Sequence, residues 1–187
     1  MPVVIDVETG GFNPKTDALL EVAYIFLKYK DNILTFDEII HDHIAPFKGA
    51  HLDPEALKFN KIEPFHPFRG ARDEKNALED AFSVVRQKLK DYRCSRAVLV
   101  GHNPAFDLSF LVEASDRNKV KLPFHKFTTF DTATLAGVAY GQTVLAKAVK
   151  AANIEFDDNE AHGALYDATK TAELFCTIVN TWERFKK

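Results

Sequence analysis

Pro2-Val3-Val4-Ile5-Asp6-Val7-Glu8-Thr9 is the stretch from which the rest of the chain is best read. Its β-branched apolar run predicts a buried strand, and Gly10-Gly11 with Asn13-Pro14 turns the chain into a loop after it. Asp6 and Glu8 are two apart, so on a strand they share a face, about 6–7 Å from each other. Two carboxylates leaving a sheet side by side are costly to bury without positive charge between them. A divalent cation would supply that charge. A solvated strand end would also relieve the pair, and the two residues alone do not decide.

Working outward, Leu19–Tyr29 and Ile33–Ile44 predict two further strands, with Lys30-Asp31-Asn32 as the hairpin turn. Asp53-Pro54 opens a short helix, with Asp as cap and Pro in the first turn. Phe65–Arg72 reads as loop. Glu74–Tyr92 is an amphipathic helix, its Leu78, Ala81, Phe82, Val85 and Leu89 recurring at three- and four-residue spacing. Ala97–Val100 is a buried strand closed by Gly101, Asp107–Arg117 a helix and Phe127–Phe130 a short strand or loop. Thr132–Tyr140, Val144–Ala152 and Ala164–Phe185 complete a helical second half. Strands first, then alternating helix and strand, predict an α/β fold with a mixed sheet.

The 187 residues predict one domain, 1–187, with a sizeable core. No apolar run approaches the roughly 18–20 residues that span a bilayer, and no secretory leader is evident. Two cysteines, Cys94 and Cys176, make neither a disulfide framework nor a zinc motif, and a reducing cytoplasm fits them. A net charge of −3 argues against coating nucleic acid by bulk electrostatics. It leaves room for a local basic patch beside an acidic site.

Two more motifs carry chemistry. Gly101-His102-Asn103-Pro104-Ala105-Phe106-Asp107 leads from a strand into a helix, so Asp107 lies near a helix N-terminus, where it would serve equally as a cap. His162-Gly163-Ala164-Leu165-Tyr166-Asp167 starts the last helix. The spacing places His162 in the preceding loop and Asp167 about one turn in, where the helix dipole also favours an acid.

Taken together, Asp6, Glu8, Asp107 and Asp167, with His162 five before the last, resemble the ordered pattern of the DEDDh exonucleases. The local contexts agree: Asp-x-Glu-Thr after an apolar strand, His-Asn-x-x-Phe-Asp, and Ala-His-x-Ala-x-x-Asp. The resemblance implies a ribonuclease H-like fold, helices on both faces of the sheet, with the carboxylates gathered at one end. It also implies two Mg²⁺ (or Mn²⁺) ions held by Asp6, Glu8, Asp107 and Asp167, with His162 as general base. Hard oxygen ligands suit those ions, and an unperturbed imidazole suits proton transfer near neutrality.

Within that group the chain is similar to the ribonuclease T family over essentially its whole length. Residues 2–13, Pro54-Glu55-Ala56-Leu57-Lys58-Phe59-Asn60, residues 130–137, Gly141-Gln142-Thr143-Val144-Leu145 and Ala164-Leu165-Tyr166-Asp167 carry the likeness. Members trim the 3′ ends of tRNA and other stable RNAs, digest single-stranded DNA and form homodimers. They carry a basic, aromatic-containing stretch ahead of the first strand, whereas here that strand begins at Pro2.

Sixteen Phe residues exceed what a core of this size requires, leaving rings for base stacking. Phe12 and Phe106 lie beside the acidic motifs; Glu55 and Phe59 are four apart on one helix face, with Glu55 able to bond a base edge. Among Phe124, Phe127 and Phe130, the resemblance favours Phe127 as the one facing substrate. Arg86, Lys88, Lys90, Arg93 and Arg96 form a basic run interrupted by Asp91, which reads either as a solvated helix face or as an RNA grip. In a ribonuclease T-like dimer, Lys90, Arg96 and Lys121 would hold RNA entering the other subunit's site. His41 and His43 alternate on a strand, and without further ligands in sequence they read as surface residues. The alternatives are a proofreading exonuclease subunit of a DNA polymerase, an oligoribonuclease-like enzyme and a catalytically dead binding module; the intact five-residue site weighs against the last.

Overall fold

The computed structural model describes residues 1–185. Its sheet contains β1 (Pro2–Thr9), β2 (Leu19–Lys30), β3 (Ile33–His43), β4 (Ala97–Gly101) and β5 (Phe124–Asp131) in the order β3-β2-β1-β4-β5. β1 pairs antiparallel with β2 and parallel with β4, so the sheet is mixed, as expected for the ribonuclease H-like fold. Asp31 and Asn32 close the β2–β3 hairpin with φ of 52° and 62°. Two left-handed residues make a type I′ turn, whose twist matches that of the strands.

Helices cover both faces. α2 (Glu74–Asp91) and α3 (Ala105–Asn118) pack on one side, where Leu78, Phe82, Val85 and Phe110 meet Val3, Ile5, Tyr24 and Phe26. α6 (Ala164–Phe185) lies on the other, setting Ala164, Ala168, Ala172 and Phe175 against Val4, Ala23, Ile25 and Val100. Alanines at these positions bring the helix axis close to the strands. α4 (Thr132–Tyr140) and α5 (Leu145–Ala151) buttress α6 through Ala136, Ala148, Val149 and Leu174. α1 (Pro54–Asn60) sits beside β1, capped by the Asp53 side chain on the Glu55 N–H at 2.9 Å.

Three segments differ from the sequence expectation. β5 is eight residues long and pairs with β4 at Phe124 and again at Thr129–Asp131, with a register shift between, because a parallel neighbour supplies hydrogen bonds that local propensity does not reveal. α3 begins two residues earlier, at Ala105. One 3₁₀ turn, Pro67–Arg69, interrupts the 65–72 loop, with the His66 ring accepting the Phe68 N–H. Among the described residues, no helix is long and apolar enough to cross a membrane.

Candidate active site

β1 and β4 pair only from Pro2–Val4 to Val98–Val100, after which the chain leaves β4 at Gly101 and enters α3. The crevice that opens there is the usual ligand position of an α/β sheet. Asp107 reaches across it: its Oδ1 accepts the Val7 N–H at 3.1 Å, in a buried contact between residues 100 apart. No side chain caps α3, so the cap reading of Asp107 is replaced by this bond to β1. A Cβ on Gly101 would stand 3.1–3.2 Å from Pro104, and this close approach lets the turn deliver Asp107.

Asp6 and Glu8 project from β1 on the α6 side, together with Val4. Asp167, in the first turn of α6, completes a group whose oxygens all lie within 4.8 Å of one another. The His162 N–H donates to Asp167 Oδ2 at 3.3 Å, whereas Asp167 Oδ1 is buried with no partner among the described residues.

The protein supplies little positive charge to this group. Burial, then the charges of Asp107, Glu8, Asp167 and Glu21, hold Asp6 well above the usual carboxylate range. Burial and then Asp167, Glu21 and Asp107 push Glu8 to about 8, against a small opposing bond from Asn60. Burial lifts Asp107 to about 7, and Asp167 is also raised by burial. Carboxylates in this state need a cation to ionise together at neutral pH.

His162 adopts a left-handed backbone, φ 70°. Its exposed ring lies against Phe59, centroids 4.1 Å apart. Sequence reasoning placed both residues in the site but not in contact. It missed Asn60, whose buried side chain donates to the Thr9 carbonyl at 3.0 Å and bonds Glu8. It also gave His102 no role. The His102 ring bridges the Thr143 carbonyl at 2.8 Å and the Thr132 hydroxyl at 3.0 Å, fastening the turn before α3 to the loop after α4. Burial lowers its pKa, and its Nε2–H donates to the Thr143 carbonyl, which can only accept.

Around the carboxylates, Phe12 is 82% exposed and edges onto Phe106, centroids 6.2 Å apart; Phe106 is half-buried against Phe110. Asp17 clamps the Phe12 loop, accepting from the Asn13 N–H at 3.0 Å and the Thr16 hydroxyl at 2.7 Å. A Cβ on Gly11 would fall 2.1 Å from Asp17 Oδ2, so that clamp requires glycine. Glu55 and Phe59 are exposed on α1. Phe124 is buried, Phe130 lies against Phe175, and Phe127 is 93% exposed on the edge strand β5.

The basic run is only partly available. Lys88 is half-buried in a bridge to Asp37, with Glu38 at 3.0 Å, which removes it from the expected patch. Lys90, Arg96 and Lys121 are exposed, and Arg86 donates to the Lys121 carbonyl at 3.2 Å, joining the segments. Arg96 lies beside Met1, at the opposite end of β1 from Glu8. At about 3.3 Å per residue, that separation is roughly 20 Å. His41 and His43 are not lone surface residues: they flank the buried Glu21.

A family model for exonucleases, RNase_T, matches residues 3–175. The protein named ribonuclease T from Vibrio parahaemolyticus is 57% identical over 185 residues, covering 97% of this chain and 86% of that one. Among solved structures, the zinc-bound form of an E. coli ExoI–single-stranded DNA complex superposes with a TM-score of 0.74 at 17% identity, over 98% of this chain and 41% of that chain. A 3′-exonuclease that recognises the 3′ end of a histone mRNA stem-loop gives 0.74 at 15%, over 96% and 63%. This chain thus spans about two-fifths of the first and under two-thirds of the second, and both establish the shared fold. From the family match and the near full-length identity, the chain belongs to the ribonuclease T family of exonucleases.

Proposed function

We propose that this 3′→5′ exonuclease trims single-stranded 3′ ends of tRNA and other stable RNAs, and of single-stranded DNA, releasing nucleoside 5′-monophosphates. One observation carries the reading: the oxygens of Asp6, Glu8 and Asp167 converge beside buried Asp107, and Asp167 Oδ1 has no partner among the described residues. An all-oxygen, multiply acidic donor set fits two Mg²⁺ ions, with Mn²⁺ as a substitute. Asp6, Glu8, Asp107 and Asp167 would hold them, directly or through water. When bound, such ions stabilise the charge that builds on the attacking and leaving oxygens of phosphodiester hydrolysis.

The remaining chemistry belongs to the chain. His162, on its loop above Asp167, takes the proton of the attacking water; its solvent-exposed ring can leave Phe59 without breaking a buried contact. Phe12, Phe59, Phe106 and Phe127 stack the terminal bases, a sequence-tolerant grip, while Glu55 bonds a base edge. Lys90, Arg96 and Lys121 lie too far from their own carboxylates to guide the scissile nucleotide. They serve the site of a second copy in a homodimer, each chain acting as one exonuclease domain in the cytoplasm.

The test is a time course on 3′-overhang tRNA, single-stranded DNA and a dinucleotide, each with Mg²⁺ or EDTA. Magnesium-dependent release of 5′-monophosphates from the first two is expected. Preference for the dinucleotide, or activity in EDTA, would overturn the assignment.

A further inference from the structure

The face of the sheet that carries Asp6 and Glu8 continues across β2 to the edge strand β3. Glu8 pairs with Glu21, which pairs with His43; Asp6 pairs with Ala23, which pairs with His41. Residues paired across a sheet point to one face, so Glu21, His41 and His43 converge. His41 Nε2 lies 2.5 Å from Glu21 Oε1, and His43 Nδ1 lies 4.0 Å from Glu21 Oε2. The two rings meet edge to face, centroids 4.8 Å apart.

This group lacks something. Glu21 is buried, and a buried carboxylate needs charge or several donors. The nearby Arg69 guanidinium is committed to the Leu20 and Ile44 carbonyls. His43 Nδ1 is itself buried with no hydrogen-bond partner among the described residues. A ring nitrogen facing a carboxylate oxygen at 4.0 Å, with no hydrogen bond between them, is the arrangement a cation would complete.

The donor chemistry selects which cation. Two imidazoles and one carboxylate, open on the side facing solvent, match a zinc site with three protein ligands and one free position. Imidazole favours Zn²⁺ and its neighbours, in contrast to the all-oxygen carboxylate centre. Bonds of about 2.0–2.1 Å at tetrahedral angles place ligand atoms about 3.3 Å apart. The donor atoms here lie within 4.8 Å of one another, and the two measured nitrogen–oxygen separations, 2.5 and 4.0 Å, bracket that spacing. Small side-chain rotations on paired strands suffice to seat an ion.

We propose that Glu21, His41 and His43 form a binding site for a zinc-class transition-metal ion, distinct in ligand chemistry from the neighbouring carboxylate centre. The ion ties the edge strand β3 to β2 and neutralises the carboxylate facing Glu8.

Zinc chloride titrated calorimetrically into metal-stripped full-length protein tests this, with Asp6→Asn/Asp167→Asn to disable the carboxylate centre and His41→Gln/His43→Gln to disable the new one. One zinc per chain should persist in Asp6→Asn/Asp167→Asn and weaken at least about tenfold when His41→Gln/His43→Gln is added. In the Asp6→Asn/Asp167→Asn background zinc should also raise the melting temperature only where both histidines are present. Cobalt(II), used as a probe in the same background, should give the visible absorption of a tetrahedral, nitrogen-ligated ion. If the quadruple variant fails to fold, His41→Gln alone serves, since Gln can still bond Glu21; it should retain the parent melting temperature in EDTA and lose zinc affinity. Zinc binding abolished by Asp6→Asn/Asp167→Asn, or unchanged by the histidine substitutions, overturns the proposal.

Discussion

Replacing Glu8 with Gln separates the cost of gathering acids from the benefit of binding a cation. Glu8 is raised from 4.5 to about 8, chiefly by burial and then by Asp167, Glu21 and Asp107. A carboxyl that holds its proton more tightly when folded weakens the fold as pH rises from the unfolded to the folded value. The window here is therefore about 4.5 to 8. Each unit is about 1.4 kcal/mol, so at pH 7 Glu8 costs the metal-free fold about 3 kcal/mol, and at pH 5 under about 1 kcal/mol. Gln keeps the shape and can still bond Asn60, but it has no proton equilibrium. In EDTA at pH 7, Glu8→Gln should melt roughly 6–12 °C above the parent, at about 2–4 °C per kcal/mol for a chain this size. The gain should shrink towards pH 5. At about a thousandfold excess of Mg²⁺ over Kd the order should reverse, because the parent gains about 4.1 kcal/mol and the variant has lost a ligand. Thermal melts from pH 5 to 8.5, with EDTA and with Mg²⁺, make the measurement. A variant no more stable than the parent in EDTA at pH 7, or a gain that ignores pH, would refute the reasoning.

Asp6→Ala or Asp167→Ala should abolish hydrolysis in a nucleotide-release assay. His162→Ala should lower kcat by about 10²–10⁴ with single-strand affinity nearly unchanged. Phe12→Ala and Phe59→Ala should each cost about 1–3 kcal/mol per stacked base, read as higher KM and lower kcat on oligonucleotides. Glu55→Ala should mainly reorder the preference among four substrates differing in their last base. Mixing Asp107→Ala with Lys90→Ala/Arg96→Ala protein should restore part of the activity that each lacks; sedimentation showing only monomer at micromolar concentration would exclude the shared site.

The three acidic motifs were legible because each is a local pattern: a β-branched run ending in Asp-x-Glu, and two loop-to-helix junctions ending in Asp. The mixed α/β sheet followed from the same elements, whereas the strand order β3-β2-β1-β4-β5 did not. What the sequence hid depends on pairing between distant segments. Glu21 stands twenty residues before His41, and only the β2–β3 register sets them side by side. Lys88 looked free because the acids that hold it, Asp37 and Glu38, sit on a strand far earlier in the chain. Asn60 closes a helix in sequence, but its work is done on Thr9 and Glu8. The Phe residues sort by depth, which composition cannot supply: Phe82 and Phe110 are fully buried, whereas Phe12, Phe59 and Phe127 face solvent.

The bond from Val7 to Asp107 also bears on how late in synthesis the carboxylate centre can assemble. Synthesis proceeds at about 5–20 residues per second, and Asp6 and Glu8 are made well before Asp107 and Asp167. Their partners are supplied by α3 and, later still, by the first turn of α6. A half-made chain therefore carries two acids at the end of an unclosed sheet and nothing to gather around a cation. The four carboxylates gather only once the helix bearing Asp167 has docked, so the order of the motifs along the chain makes the centre one of the last features to be completed.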